Sequence, residues 1–250
     1  MLHIKNLTKV YEGSVQALTD VSFEVPKGQF LAVIGLSGSG KSTLLRCINR
    51  LIEPTSGQVI WNGIDVTAAS PEELRRIRRK IGMVFQNFNL VHRSKVMTNV
   101  LAGRLGYNSP AWSLINRFSR EDKEKAMKQL TRVGIEDKGG YRADELSGGQ
   151  QQRVGIARAM IQDPDMILAD EPVASLDPVL AHSIMRYLEQ INKEDGVTVL
   201  CSLHFLDIVH KYANRVVALN EGRVVFEGLP REIDDKKFKE IYGRDAERVG

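Results

Sequence analysis

GLSGSGKS, Gly35–Ser42, gathers residue types suited to holding phosphate. Gly35, Gly38 and Gly40 let the backbone turn its N–H groups toward an anion, with Leu36, Ser37 and Ser39 completing the loop. Lys41 is spaced to reach β- and γ-phosphates, and Ser42, followed by Thr43, offers a hydroxyl to Mg²⁺. The stretch follows the apolar run FLAVI and opens the helical pattern STLLRCINRL. That strand–loop–helix setting separates a phosphate loop from a chance glycine-rich turn.

Such a loop needs carboxylates nearby. DMILADE, Asp165–Glu171, ends a buried-looking run on an acidic pair, where strand ends meet phosphate loops in open sheets. Asp170 can orient Mg²⁺, and Glu171 can accept the proton of a water attacking the γ-phosphate. Three further residues stand at similar positions. Gln86, after the run GMVF, reads either as a loop residue or as a contact to both Mg²⁺ and the attacking water. His204, after VTVLCSL, reads either as a satisfied structural group or as a γ-phosphate sensor. Tyr11, before the first glycine turn, reads either as a strand-end core residue or as a stacking platform for a base.

A second cradle lies far downstream. In LSGGQQQRVGIARAM, Leu146–Met160, a serine and two glycines precede a helical pattern, with Val154, Ile156, Ala157 and Met160 on one apolar face. Ser147, Gly148, Gly149 and Gln150 thus open a helix whose free N–H groups and dipole favour an anion. One small domain rarely needs two phosphate cradles for one ligand.

The elements that must carry these residues fall into two kinds. Residues 2–7 and 21–25 alternate apolar and polar positions, and GQVIWNG (57–63) is a strand closed by a turn, which predicts a small antiparallel sheet. Residues 30–35, 165–170 and 197–203 are instead continuous apolar runs, as in strands of a parallel sheet covered on both faces. RVVALNEGRVVFEG is a hairpin turning at 220–222. From about 90 to 162 the patterns are helical and polar, as in SREDKEKAMKQLTRVG. This predicts a helical subdomain (90–162) inserted into an α/β core (1–89 and 163–228), with a charged tail (229–250) containing a short helix.

With 250 residues, 42% of them hydrophobic, the chain can bury a core as one unit, and it has no internal repeats. No apolar run approaches the roughly 18–20 residues of a bilayer span, so a cytoplasmic location is expected. Cys47 and Cys201 are read as buried thiols, since two cysteines in apolar contexts make no disulfide framework. A net charge of +4 is too small to imply nucleic acid. The basic run Arg75–Lys80 is read as a solvated helix face, capped by Ser70 with Pro71 at the first helical position. It lacks the interleaved aromatics of a stacking surface.

Taken in order, these motifs resemble the nucleotide-binding subunits of ATP-binding cassette (ABC) transporters. The phosphate loop is similar to Walker A, Gln86 to the Q-loop glutamine, and Leu146–Gln150 to the LSGGQ signature. MILADE is similar to Walker B, Ser175–Asp177 to the D-loop, His204 to the switch histidine and Tyr11 to the adenine-stacking aromatic. The resemblance implies an α/β P-loop ATPase fold: a mixed, largely parallel core sheet, an antiparallel β part and an inserted helical subdomain. It implies ATP and Mg²⁺ as ligands, with Ser42, Gln86 and Asp170 at the metal and Asp177 among the nucleotide-binding residues. Cassettes of this family face each other head to tail, so the second cradle would serve the ATP of a second copy. Permease subunits at the cytoplasmic face of the membrane, and indirectly an extracytoplasmic binding protein, are the further implied partners.

A narrower resemblance, to phosphonate-importer ATPases, rests on NVLAGRLGYNSPAWSLINRFSREDKEKAM (99–127), ADEPVASLDP and LCSLH. Phe205 and HRSK (92–95) depart from that pattern. An importer of another small solute such as an amino acid, or an exporter or lipoprotein-release ATPase, would carry the same catalytic motifs. A soluble cassette acting on ribosomes or DNA would be expected to have two cassettes or a coiled-coil insertion.

Overall fold

The structure, a computed structural model, describes residues 1–107 and 118–243. Strands β1 (Leu2–Tyr11), β2 (Val15–Val25), β4 (Ser56–Trp61) and β5 (Ile64–Asp65) form an antiparallel sheet in the order β2-β1-β4-β5. β1 and β2 run beyond the alternating segments 2–7 and 21–25, because the hairpin continues pairing to Tyr11 and Val15. Cross-strand bonding extends a strand further than its own hydrophobic pattern indicates.

A second sheet has six strands. It holds β3 (Phe30–Ile34), β6 (Ile81–Val84), β7 (Met166–Ala169), β8 (Thr198–Leu203), β9 (Arg215–Asn220) and β10 (Arg223–Gly228). Its order is β10-β9-β3-β8-β7-β6, parallel throughout except for the β9–β10 hairpin. Alternate residues of β3 enter different cores. Leu31 and Val33 pack toward the antiparallel sheet, whereas Phe30, Ala32 and Ile34 pack on the helical side. Burial on both faces explains why this strand reads as a continuous apolar run. Each large side chain so buried contributes about 1.5–3 kcal/mol.

The helices start where local chemistry favours them. α1 (Lys41–Ile48) begins after Gly40, and α2 (Pro71–Arg79) after a Ser70–Glu73 capping box with Pro71 first. α3 is Val96–Leu101, and α4 (Arg120–Arg132) is capped by Ser119, which accepts from the Asp122 N–H. α5 (Gly148–Met160) follows a Ser147–Gln150 capping box. α6 (Pro178–Asp195) is capped by Asp177 and stops at Gly196 in the left-handed region. α7 (Leu206–Tyr212) follows β8, and α8 (Asp235–Tyr242) lies in the charged C-terminal stretch.

α5 differs from expectation. Val154, Ile156, Ala157 and Met160 are buried as predicted, but Gly149, Gln152, Gly155 and Ala159 are buried too. The helix lies among α3, α4, α6 and β6, so it is covered on several sides. The middle of the 99–127 segment and the last residues of the tail lie outside the described residues.

Candidate functional site

Four neighbouring parallel strands, β3, β8, β7 and β6, end on one edge of the sheet, and each end delivers one expected group. The phosphate loop follows β3, His204 follows β8, Asp170–Glu171 follow β7, and Gln86 stands two residues past β6. The Asp170 N–H donates to the Val84 carbonyl, which ties the last two strand ends together. Sites of open α/β sheets form at this edge because the loops there diverge to either side.

In the loop, the glycines answer two demands. Side chains at Gly35 and Gly40 would collide with backbone carbonyls, of Leu219 and Ala17 respectively. Gly38 faces open space and is required only by its φ of +79°. Lys41 is 3% exposed, and its ammonium donates to the carbonyls of Gly35 (3.0 Å) and Leu36 (2.8 Å). Burial lowers its pKa, with Glu171 and Asp170 opposing the shift. The Ser39 hydroxyl is buried without a hydrogen-bond partner, a polar orphan inside the cradle.

Asp170, only 1% exposed, is held from three sides. Ser42 Oγ donates to Oδ1 at 2.6 Å, Arg46 Nη2 to Oδ2 at 3.1 Å, and Ser202 Oγ approaches Oδ1 at 3.3 Å. A hydroxyl and a carboxylate in contact are hard oxygen donors of the kind Mg²⁺ takes in ones and twos, the remaining ligands being water and phosphate. No group of three or more His, Cys, Asp or Glu side chains able to hold a metal occurs among the described residues. The Ser42–Asp170 pair fits Mg²⁺ held by few protein oxygens.

Glu171 has φ of +47°, uncommon for a residue with a side chain and a place where strain is stored. Three contacts keep it there. Its N–H donates to Ser202 Oγ (2.7 Å), and its Oε1 meets His204 Nε2 (2.5 Å) and Lys41 Nζ (3.7 Å). Ser202 and Arg46 were not singled out from sequence. The available signal for Ser202 was a lone hydroxyl in the apolar run VTVLCSL; Arg46 looked like any helix arginine.

Tyr11 lies beside the loop helix. Its hydroxyl is 3.2 Å from Thr43 Oγ1, the residue is 38% exposed, and the Lys9 ammonium lies 5.1 Å from the ring centroid. The downstream cradle stands apart. Ser147 and Gln150 spend their side chains on capping their own helix, and Asp177 accepts from the Leu180 N–H. No hydrogen bond or ion pair among the described residues joins these groups to the phosphate loop. A side chain at Gly149 would press on Leu180, whereas one at Gly148 would meet only ordinary contacts, 3.7 Å from Phe88 and 3.8 Å from Leu176. Packing explains Gly149. Gly148 is exposed and remains open to whatever approaches the helix start.

Residues 18–174 match the ABC transporter family. The phosphonates import ATP-binding protein PhnC of Bdellovibrio bacteriovorus is 52% identical over 250 residues, covering 100% of this chain and 96% of that protein. A phosphonates import ATP-binding protein of Halalkalibacterium halodurans is 49% identical over 98% of this chain and 95% of its own length. Among solved structures, the dimeric post-hydrolysis state of the ATP-binding cassette MJ0796 bound to ADP and Pi has a TM-score of 0.82 at 36% identity. That match covers 92% of this chain and 99% of that one. The ADP conformation of the cassette MJ1267 gives 0.80 at 33% identity, over 98% and 95%. With matching sequence along its whole length and the phosphate cradle formed at the edge of its parallel sheet, the chain belongs to the ABC transporter family.

Proposed function

We propose that the chain is the ATP-hydrolysing subunit of an import system for phosphonate or a related phosphorus oxyanion. The observation that carries the enzymatic part is the convergence of Lys41, Ser42, Asp170, Glu171 and His204 at adjoining strand ends. The relatives named for phosphonate import support the substrate class. In this reading residues 1–250 form one cassette, with 90–162 as its helical subdomain and 229–250 as a tail.

The backbone of Gly35–Ser42 wraps the ATP phosphates, and Lys41 leaves its loop carbonyls for the β- and γ-phosphate oxygens. Tyr11 stacks on the adenine. Ser42, Gln86 and Asp170 would hold Mg²⁺, which would supply positive charge to offset that of the phosphates. Glu171 Oε1 accepts the proton of the attacking water, and the imidazole of His204 fixes that carboxylate and reaches the γ-phosphate. Gln86 orients the water. The strained backbone at Glu171 aims its carboxylate into the site instead of along the strand.

A second copy completes each site. Ser147, Gly148 and Gly149 of one subunit face the γ-phosphate held by the other, while Gln150 caps the helix start and Asp177 stands near the pair's contact. No helix among the described residues is long and apolar enough to cross a membrane. In this reading permease subunits recruit the pair to the cytoplasmic face, and a binding protein delivers solute from the other side.

The test is reconstitution of the chain with its permease in vesicles, followed by ATP-driven uptake of phosphonate, phosphite, phosphate and an amino acid. Uptake of a phosphorus oxyanion is expected. Glu171→Gln should keep ATP binding, abolish uptake and lose roughly 10²–10⁴-fold in turnover. Uptake of the amino acid alone would overturn the substrate class, and near-normal hydrolysis by Glu171→Gln would remove that residue from the role of base.

A further inference from the structure

The turn that follows Gln86 is unusual. Phe88 and Asn89 both lie in the left-handed region, with φ of +59° and +48°, and for a bulky residue such as phenylalanine that is a genuine outlier. The pair is gripped by α5. Arg158 Nη2 donates to the Phe88 carbonyl at 2.8 Å and Nη1 to the Asn89 carbonyl at 2.5 Å. No other side chain donates to those two carbonyls among the described residues. The Arg158 guanidinium has no carboxylate partner there either, and its burial lowers its pKa.

The same helix also comes close to the turn at two glycines. A Cβ at Gly155 would lie 3.9 Å from the Phe88 carbonyl oxygen, and one at Gly148 would lie 3.7 Å from the tip of the Phe88 ring. Between these glycines, on the same side of the helix by its three- and four-residue spacing, sits Gln152. Gln152 is fully buried, and neither its amide oxygen nor its amide nitrogen has a partner. Strain in the turn and an unsatisfied amide on the facing helix mark a contact that is not at its own local optimum. Further on, the chain is stitched by backbone bonds to the segment leading into the signature. Asp144 donates to His92, Ala143 to Ser94, and Val96 to Tyr141.

We propose that Arg158 is a positioning residue that locks the Phe88–Asn89 turn to the signature helix, so that seating of Ser147–Gly149 on a facing nucleotide sets the place of Gln86 in its own subunit's site. The inference rests on the roles given above to Gln86 and to the signature, and it adds the joint between them. α5 begins at the surface that meets the second copy and carries Arg158 three turns along. A displacement of its start is passed to two carbonyls lying two and three residues from Gln86. Coupling of this kind needs a contact with two arrangements, and relief of the strained turn held by Arg158 would be the second.

Arg158→Met removes both donors while keeping an apolar stem of similar length. Its freed carbonyls belong to residues that are half-buried or exposed, so water can satisfy them. ATP turnover by the full chain is measured for wild type, Arg158→Met, Gln86→Ala and the double variant. The expected loss for Arg158→Met is about 3- to 30-fold in kcat, with KM for ATP within about 2-fold. Arg158→Lys should recover part of it. In the Gln86→Ala background, Arg158→Met should cost less than about 2-fold more, because a residue acting through Gln86 has nothing left to position.

Losses that simply multiply would show an effect independent of Gln86 and overturn the proposal, as would unchanged kcat in Arg158→Met. Unchanged turnover in Gln86→Ala alone would refute the role of Gln86 itself, and the proposal with it, in a separately readable arm. If Arg158→Met does not fold, the readout moves to amide hydrogen exchange in Glu171→Gln. Added ATP should protect 86–91 together with 148–158. Protection confined to 148–158 would overturn the joint.

Discussion

Ser202→Ala tests how Glu171, the proposed general base, is held. The serine is completely buried, and its Oγ accepts the N–H of Glu171 at 2.7 Å while approaching Asp170 at 3.3 Å. Alanine removes one oxygen and adds nothing, so the Glu171 N–H loses its acceptor in a closed place. An unsatisfied buried donor costs about 1–3 kcal/mol. For a chain of this size that corresponds to a fall in Tm of roughly 2–4 °C per kcal/mol. The left-handed backbone at Glu171 stores strain of about 1–3 kcal/mol, which that hydrogen bond helps to offset. Released, the backbone can relax toward ordinary φ and carry the carboxylate away from His204. A loss of about tenfold in kcat corresponds to about 1.4 kcal/mol, well inside that range. The phosphate loop and Tyr11 are untouched, so KM for ATP should stay within about 2-fold. Steady-state turnover and a thermal melt on the same preparation make the assay. Wild-type kcat with Tm unchanged would refute the reasoning, because neither the bond nor the strain would then matter.

Two further outcomes follow from the geometry. A mixed dimer of Lys41→Ala with Gly148→Asp should trap ATP at one site, the one pairing an intact phosphate loop with an intact signature; no trapping in a verified mixed dimer would refute a cradle acting across subunits. Burial pushes the Cys47 thiol up from its ordinary 9.0 to about 12, and the Cys201 thiol is also raised. Neither should react with iodoacetamide at pH 8 until the chain unfolds. Because the raised folded pKa favours the protonated form, Cys47 supports stability fully below pH 9 and loses that support between pH 9 and about 12. Rapid native labelling, or a melting temperature flat across that window in comparison with Cys47→Ala, would contradict the burial.

Much of this molecule was legible before any fold was known, wherever the governing physics is local. The phosphate loop announces itself through glycines whose φ values only glycine adopts readily, followed by a lysine at fixed spacing. Helix starts at Ser70, Ser119 and Ser147 are readable because a cap and the groups it bonds lie within three residues. The buried strands are readable because two covered faces leave no polar alternation. The tertiary structure decided what distance in the chain conceals. Strand order alone places Ser202 against Asp170 and Glu171, more than thirty residues away, and brings Ser42 to Asp170 across 128. Arg46 and Arg158 carry no local signature of the contacts they make, since an arginine's partner is set by what packs over it. α5 reads as amphipathic but is buried on several sides, because periodicity reports one apolar face and not how many neighbours arrive. Residue types and spacing determined which chemistry this protein can perform, and the parallel order of β3, β8, β7 and β6 decided where those groups meet.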